Sequence, residues 1–357
     1  MNILPELLKK YKLNTEVSQI FNGNIFYHLD SVANPRQTLF VYDTNILDII
    51  ETYRTPGAIS LNLAKPRAHP TLENMAKVVF FIKTYKISQI FAFGTGAIND
   101  ICKYVAFLSG VHYTFCPTAF SMNGIVSQNV SLIDNKRGIK QSISAKPAKT
   151  IIIEQDIVMN APRRFIGSAI MDSLAAYTAC NDFIFASQLD SKKYPFKQKV
   201  FSIFHAEMVK IIDIVENNTE ALYTDFNIAM QVFEVLYLSG CIMNYYESSI
   251  AFSGGEHHIA HTLESKYPEI SEHFLHGEVI SAILPFYSQI QKDYTKNNYI
   301  PKNIIEENNR IDFRKIATKL QLPEKPQDLG ISQEKFMECV KNAKYAKERP
   351  TILSLLF

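Results

Sequence analysis

The hydrophobic pattern changes character once along the chain. From Leu39 to about Gln155, short runs rich in β-branched and aromatic residues alternate with segments of helical period. TLFVYDT, from Thr38, reads as a strand, NILDIIETYRT as a helix and AISLNL as a second strand. Thr71 stands as the N-cap of a helix over LENMAKVVFFIKTYK. ISQIFAFG then predicts a buried strand, INDICKYVAFLSG a helix and VHYTFCPT a further strand. Strands separated by helices of this length give parallel βαβ units and a doubly wound sheet. Beyond about Ile157 the apolar stretches have helical period, glycine is sparse and turn signals such as SKKYPFKQ separate them. That half is predicted to be nearly all helical. The Asn- and Lys-rich segment around Tyr294–Asn309 reads as an exposed loop or helix edge.

Length turns this pattern into domains. A chain of 357 residues exceeds what one hydrophobic core usually covers, so two domains sharing a cleft are expected: 1–155, α/β, and 156–357, helical. With 47% hydrophobic and 20% charged residues, a disordered chain is excluded. Thirty-seven Lys and Arg against thirty-five Asp and Glu leave a net charge of +2 without a long one-sign block, so no nucleic-acid partner is expected. The group Lys192, Lys193, Lys197 and Lys199 reads as a solvated face. Cys102, Cys116, Cys180, Cys241 and Cys339 form no CxxC pair and read as reduced thiols. MNILPELLKKYKL brings charge in too early for a signal-peptide core, and no stretch approaches the apolar length of a membrane span. The expected compartment is the cytoplasm.

Three places carry candidate chemistry. In FAFGTGAINDICKY, Gly94 and Gly96 end a strand and Ile98 opens a helix, a setting in which backbone N–H groups and a helix N-terminus hold phosphate. Asn99 stands where the dinucleotide fingerprint has its third glycine, so an ordinary tight turn fits as well. Asp43 is placed to accept from a ribose 2′-hydroxyl or to cap the next helix, and the residues alone favour the cap. Asp172 is the single charge in FIGSAIMDSLAAYTAC, and a bare carboxylate on a buried helix requires a cation. Arg163, Arg164, an N–H at a helix start and a metal ion are the candidates. GGEHHIAHTLE offers His257 and His261 on one helix face with His258 beside them, and HGEVISA adds His276. One aspartate and two histidines from separate helices suit Zn2+ with a position left open for substrate. Such histidines also occur as surface or core packing. No HExxH is present, which excludes the metalloprotease pattern.

In this order and at these distances, GTGAIND with KY, PTAFSMNG, MDSLAAYTACND, GGEHHIAHTLE, HGE and ERPTIL resemble the sn-glycerol-1-phosphate dehydrogenases. That family is grouped with glycerol dehydrogenases, iron-containing alcohol dehydrogenases and dehydroquinate synthases. The resemblance runs from about residue 40 to the end. It implies a dehydroquinate synthase-like fold, NAD(P)-linked reduction of dihydroxyacetone phosphate to sn-glycerol 1-phosphate, and a homodimer or larger ring. The product would feed ether lipids or a surface glycan.

By the same resemblance Asp172, His257 and His276 are the metal ligands, with His258 the lesser substitute for His257. Iron-dependent relatives have a histidine four residues after the aspartate; Ala176 stands there, which favours Zn2+ over Ni2+ or Fe2+. Gly94, Thr95 and Gly96 are implied at the cofactor pyrophosphate, Asp100 and Thr118 toward the nicotinamide, Ser121 as a further cofactor contact, and Asp43 at the adenine ribose. A carboxylate there repels a 2′-phosphate, so NAD(H) is expected over NADP(H). His261 would touch substrate and Glu256 would orient a ligand. Lys103 is a cation candidate for the substrate phosphate or takes a buried place near the cofactor. Asn123 replaces the family's usual aspartate; an amide orients a hydroxyl but exchanges no proton at neutral pH. The alternatives are a glycerol or other polyol dehydrogenase, a sugar-phosphate cyclase, and a non-catalytic homologue.

Overall fold

The computed structural model describes residues 13, 17, 19–23, 25, 34–53, 55–63, 67–134, 139–295 and 311–356. Most of the segment around Tyr294–Asn309 and the N-terminal stretch MNILPELLKKYK lie outside the described residues. Two compact units are present, with the division between Pro162 and Arg163, whereas the change of pattern puts it near 155. The reason is local: Ile157 joins the core of the first unit's sheet.

The first unit is built on a parallel sheet. Its elements are β1 (Gln19–Asn22), β2 (Thr38–Tyr42), α1 (Leu47–Tyr53), β3 (Ile59–Asn62), α2 (Leu72–Tyr85), β4 (Gln89–Gly94), α3 (Gly96–Ser109) and β5 (His112–Pro117). After them come an antiparallel hairpin of β6 (Asn129–Asp134) with β7 (Ile139–Ser144), then β8 (Thr150–Ile153) and α4 (Gln155–Met159). Six strands pair in the order β3-β2-β4-β5-β8-β1, every pair parallel. All five residues of β2 are buried, as a strand covered on both faces requires. Phe40, Tyr42, Phe91, Phe93 and Ile152 form one core cluster with Ile50 of α1 and Ile157 of α4. Leu39, Val41, Ile90 and Ala92, the alternate residues, are buried as well. Thr71 caps α2, its hydroxyl accepting from the Asn74 N–H at 3.3 Å.

From Arg163 onward the described residues form helices and no strand. The longer ones are α5 (Arg164–Leu189), α6 (Gln198–Asn217), α8 (Phe226–Tyr245), α9 (Gly255–Lys266) and α11 (His276–Thr295), with α7 (Ala221–Thr224) and α10 (Pro268–His273) between them and α12 (Phe313–Leu320) and α13 (Gln333–Asn342) after. Every residue of α5 from Gly167 to Ala186 is buried, so this helix is the centre of the unit. In contrast to the expectation that no apolar stretch reaches membrane length, α8 is long and apolar enough to cross one, with mean hydropathy 1.4. Its buried residues run from Ala229 to Met243, and a helix surrounded by protein has the same composition as one surrounded by lipid.

One half-buried histidine of this unit sets an acid response. The His205 ring stacks on Tyr177, 4.3 Å between centroids and 4° from parallel, and burial holds its pKa down at about 4 from 6.5. The unfolded chain therefore takes up this proton at a higher pH than the folded one, and stability falls as pH drops from about 6.5 toward about 4. Replacing His205 by glutamine is expected to remove up to about 3 kcal/mol of that loss. Urea midpoints of both proteins across this pH window check it: the variant's should fall less steeply.

Candidate active site

In the first unit the candidate cofactor residues gather at the carboxyl end of the sheet. The chain runs from β2 to β3 on one side, then returns past β2 to place β4 and β5 on the other. The switch point thus lies between β2 and β4, where doubly wound sheets bind their ligands. Asp43 follows β2 and Gly94 ends β4, with the register Val41↔Ala92 setting them side by side. Gly94 has φ +154, and a Cβ on it would lie 2.7 Å from Ile98, so a side chain is excluded where β4 turns into α3. Thr95 is the N-cap of α3 and makes no side-chain cap, leaving the N–H groups of the first turn directed outward from the helix.

The remaining cofactor candidates are tied to this turn. Thr118 donates its N–H to Gly94 O at 2.9 Å, fixing the loop after β5 against the end of β4. Ser121 is half-buried and Asn123 buried on that loop. Asn99, in the missing glycine's place, donates to Ile125 O at 3.2 Å and so binds the far side of the same loop to α3. Asp100 is buried with one oxygen 3.1 Å from Lys103 Nζ and the other accepting from Ser131 N–H at 3.0 Å. Lys103 is fully buried and also donates to Gly124 O and Asn129 O. All three of its protons are used, which rules out the substrate phosphate as its partner.

Asp43 serves as the cap that the residues alone favour. Its Oδ1 accepts from the Asn45 N–H at 3.1 Å and its Oδ2 from the Ala68 N–H at 3.4 Å. Burial raises its pKa, opposed by those two N–H groups and by the charge of Arg67. A cation thus stands beside the carboxylate expected to meet the ribose.

In the second unit Asp172, His257 and His276 come together from three helices, α5, α9 and α11, with ligand atoms all within 4.8 Å of one another. His257 Nε2 is 3.2 Å from Asp172 Oδ1. Its Nδ1 is 2.9 Å from Glu256 Oε1, and Glu256 is itself fixed by the Gly254 N–H at 2.6 Å and the Thr178 hydroxyl at 2.8 Å. A carboxylate behind a ligating imidazole is the usual support of a metal-bound histidine. Burial disfavours a charged His257, but the hydrogen bonds and charges of Asp172 and Glu256 outweigh it and hold its pKa above 6.5. The site draws positive charge, and a proton and a divalent ion would compete for it.

Close packing makes this convergence possible. A Cβ on Gly277, next to His276, would meet Ser168 O at 2.0 Å, so only glycine lets α11 lie this close to α5, one turn before Asp172. Glu278 pairs with Arg164 (Nε–Oε1 2.8 Å) and accepts from the Leu275 N–H at 2.6 Å. Arg163 pairs with Glu220 at 2.6 Å. Both arginines offered as partners for Asp172 are therefore engaged elsewhere. Ala176, one turn beyond Asp172, is buried and brings no donor.

His261 and His258 fare differently. The His261 ring lies parallel to that of His276, centroids 5.2 Å apart, and its side chain is 18% exposed. His258 is fully buried, with both ring nitrogens lacking a hydrogen-bond partner, and burial, then the charges of Arg349 and Lys347, keep it neutral. It stands apart from the donor set of Asp172, His257 and His276.

Two further carboxylates escape a reading of the sequence. Asp182 accepts from the Gly255 N–H at 2.6 Å, the Ile352 N–H at 2.9 Å and the Tyr287 hydroxyl at 2.8 Å, fixing the start of α9; burial pushes its pKa up to about 7. The signal was the one that marked Asp172, a bare carboxylate on an apolar helix. Glu264 lies 2.8 Å from His276 Nδ1, and nothing in its surroundings in the sequence distinguishes it from a solvated helix residue.

The donor set has the chemistry of a divalent-ion site. One carboxylate and two neutral imidazoles are oxygen and nitrogen donors of the kind Zn2+ takes, and their histidine support is in place. The iron-containing alcohol dehydrogenase family matches residues 33–162. A glycerol-1-phosphate dehydrogenase [NAD(P)+] of Methanocorpusculum labreanum is 30% identical over 89% of this chain and 79% of its own length. One from Pyrococcus abyssi is 30% identical over 80% and 75%. A probable glycerol dehydrogenase from Sinorhizobium meliloti has the same fold, with TM-score 0.67 and 16% identity over 95% of this chain and 91% of that one. By sequence over most of its length, with the architecture to match, the chain belongs to the glycerol-1-phosphate dehydrogenase family.

Proposed function

We propose that the protein reduces dihydroxyacetone phosphate to sn-glycerol 1-phosphate with a nicotinamide cofactor, on a divalent ion held by Asp172, His257 and His276. The observation that carries this reading is the meeting of those three side chains within 4.8 Å, in a chain 30% identical to a glycerol-1-phosphate dehydrogenase. Zn2+ is the ion proposed, because three protein donors leave room for substrate and Ala176 adds no fourth. When bound, the ion supplies Lewis-acid stabilisation of the developing alkoxide and the nicotinamide supplies the hydride.

The chain's own groups do the rest. Asp172 brings the negative charge that retains the ion, and Glu256 holds His257 with one nitrogen free to ligate. The N–H groups at the start of α3 receive the cofactor pyrophosphate, with Gly94, Thr95 and Gly96 keeping the approach clear and Asp100, Thr118 and Ser121 framing the nicotinamide side. Asn123 orients a substrate hydroxyl as donor and acceptor. Because the amide exchanges no proton, the alkoxide takes its proton by way of His261.

NAD(H) is the preferred cofactor in this reading, since Asp43 repels a 2′-phosphate, while Arg67 beside it keeps NADP(H) usable. Asp43→Asn should therefore raise the ratio of kcat/KM for NADPH over NADH about tenfold, on the order of 1.4 kcal/mol; steady-state kinetics with each cofactor checks it.

Purified protein with NADH and paired ketones, phosphorylated and not, tests the function. Rapid oxidation is expected with dihydroxyacetone phosphate and little with dihydroxyacetone, with sn-glycerol 1-phosphate as the product. Equal rates with both would identify a polyol dehydrogenase instead. Turnover appearing only in Asn123→Asp would identify a non-catalytic homologue.

A further inference from the structure

Glu264 is a buried carboxylate, its side chain 3% exposed, that faces two imidazoles at once. Oε1 is 2.8 Å from Nδ1 of His276 and Oε2 is 3.4 Å from Nδ1 of His261. The two rings lie 8° from parallel. These three residues make a second donor set within 4.8 Å, sharing His276 with the first. A neutral imidazole has one N–H and one lone pair, so His276 cannot serve both sets through lone pairs. With its Nδ1 proton on Glu264, the lone pair at Nε2 remains for the site of Asp172 and His257. The arrangement repeats that of Glu256 behind His257.

We propose that Glu264 is a positioning residue for the metal centre. It fixes the tautomer and ring plane of His276, while its other oxygen lies 3.4 Å from Nδ1 of His261, the ring assigned to the proton. The second donor set is then a support for the first, not a second ion site. This inference rests on the metal assignment proposed above.

Two measurements on the full chain test it. Long-range 1H–15N correlation of the histidine rings in zinc-loaded wild-type protein should show His276 with a proton on Nδ1 and the metal on Nε2, and one zinc per chain by elemental analysis. Glu264→Gln keeps the volume and an acceptor oxygen but loses the charge; its affinity for Zn2+, by competition with a chromophoric chelator, should fall about 10- to 100-fold, and the visible band of its Co2+ form should shift. Metal on Nδ1 of His276, two zinc ions per chain, or a folded Glu264→Gln with wild-type affinity and Co2+ spectrum would each overturn the inference while the metal assignment stands. Wild-type protein that takes up no zinc overturns the assignment itself and this role with it.

Discussion

Replacing Asp172 by asparagine is expected to strip the protein of its divalent ion and to lower kcat/KM at least about a thousandfold. The substitution is nearly isosteric, so α5, buried from Gly167 to Ala186, keeps its packing. In the proposed site, what disappears is the negative charge among the three donors, since His257 and His276 would ligate as neutral imidazoles. Loss of Lewis-acid stabilisation removes several kcal/mol from the barrier reduction, which at 1.4 kcal/mol per decade gives the stated factor. Elemental analysis and steady-state kinetics on the same preparation check both halves. A variant that keeps one metal ion per chain would remove Asp172 from the ligand set.

Lys103→Met should produce the largest loss of stability away from the metal centre. The ammonium is fully buried and bonded to Asp100, Gly124 O and Asn129 O. Removing it leaves Asp100 buried with only the Ser131 N–H on its carboxylate among these contacts. Breaking a buried pair from one side costs about 3–5 kcal/mol, and two carbonyls lose a donor besides. The measurement is chemical denaturation followed by a probe in residues 13–162, because the two units need not unfold together. Asp100→Asn combined with Lys103→Met should recover part of the loss, since the uncompensated charge is then gone. A single variant within 1 kcal/mol of wild type, a bound set from the same ~3–5 kcal/mol expectation, would show that Lys103 is not the anchor of this loop.

Much of this was legible in the residues. β2, β3, β4 and β5 and the helices between them follow from apolar runs bounded by turn signals, and the Thr71 cap from its position before a periodic segment. β1 and β8 were not read from the sequence, and the β6–β7 hairpin pairs a strand whose sequence, IKQSIS, is largely polar. For the site, Asp172 and His257 were visible because a charge on an apolar helix and histidines at helical spacing are local signals. Glu264 and Asp182 act across distances of 12 and 73 residues, on His276 and Gly255, and no local pattern encodes such pairings. Of the two places offered for Lys103 the buried one is found, and it is held there by the backbone carbonyls of Gly124 and Asn129, which sequence does not mark.

X-ray absorption at the zinc edge of the reconstituted protein tests the central claim most directly. The account predicts one zinc per chain with two imidazole nitrogens at about 2.0–2.1 Å and carboxylate oxygen at about 2.0–2.2 Å, the imidazole outer-shell scattering vanishing by half in His276→Ala. Sulfur scattering at about 2.3 Å, or a spectrum unchanged by loss of His276, would contradict it.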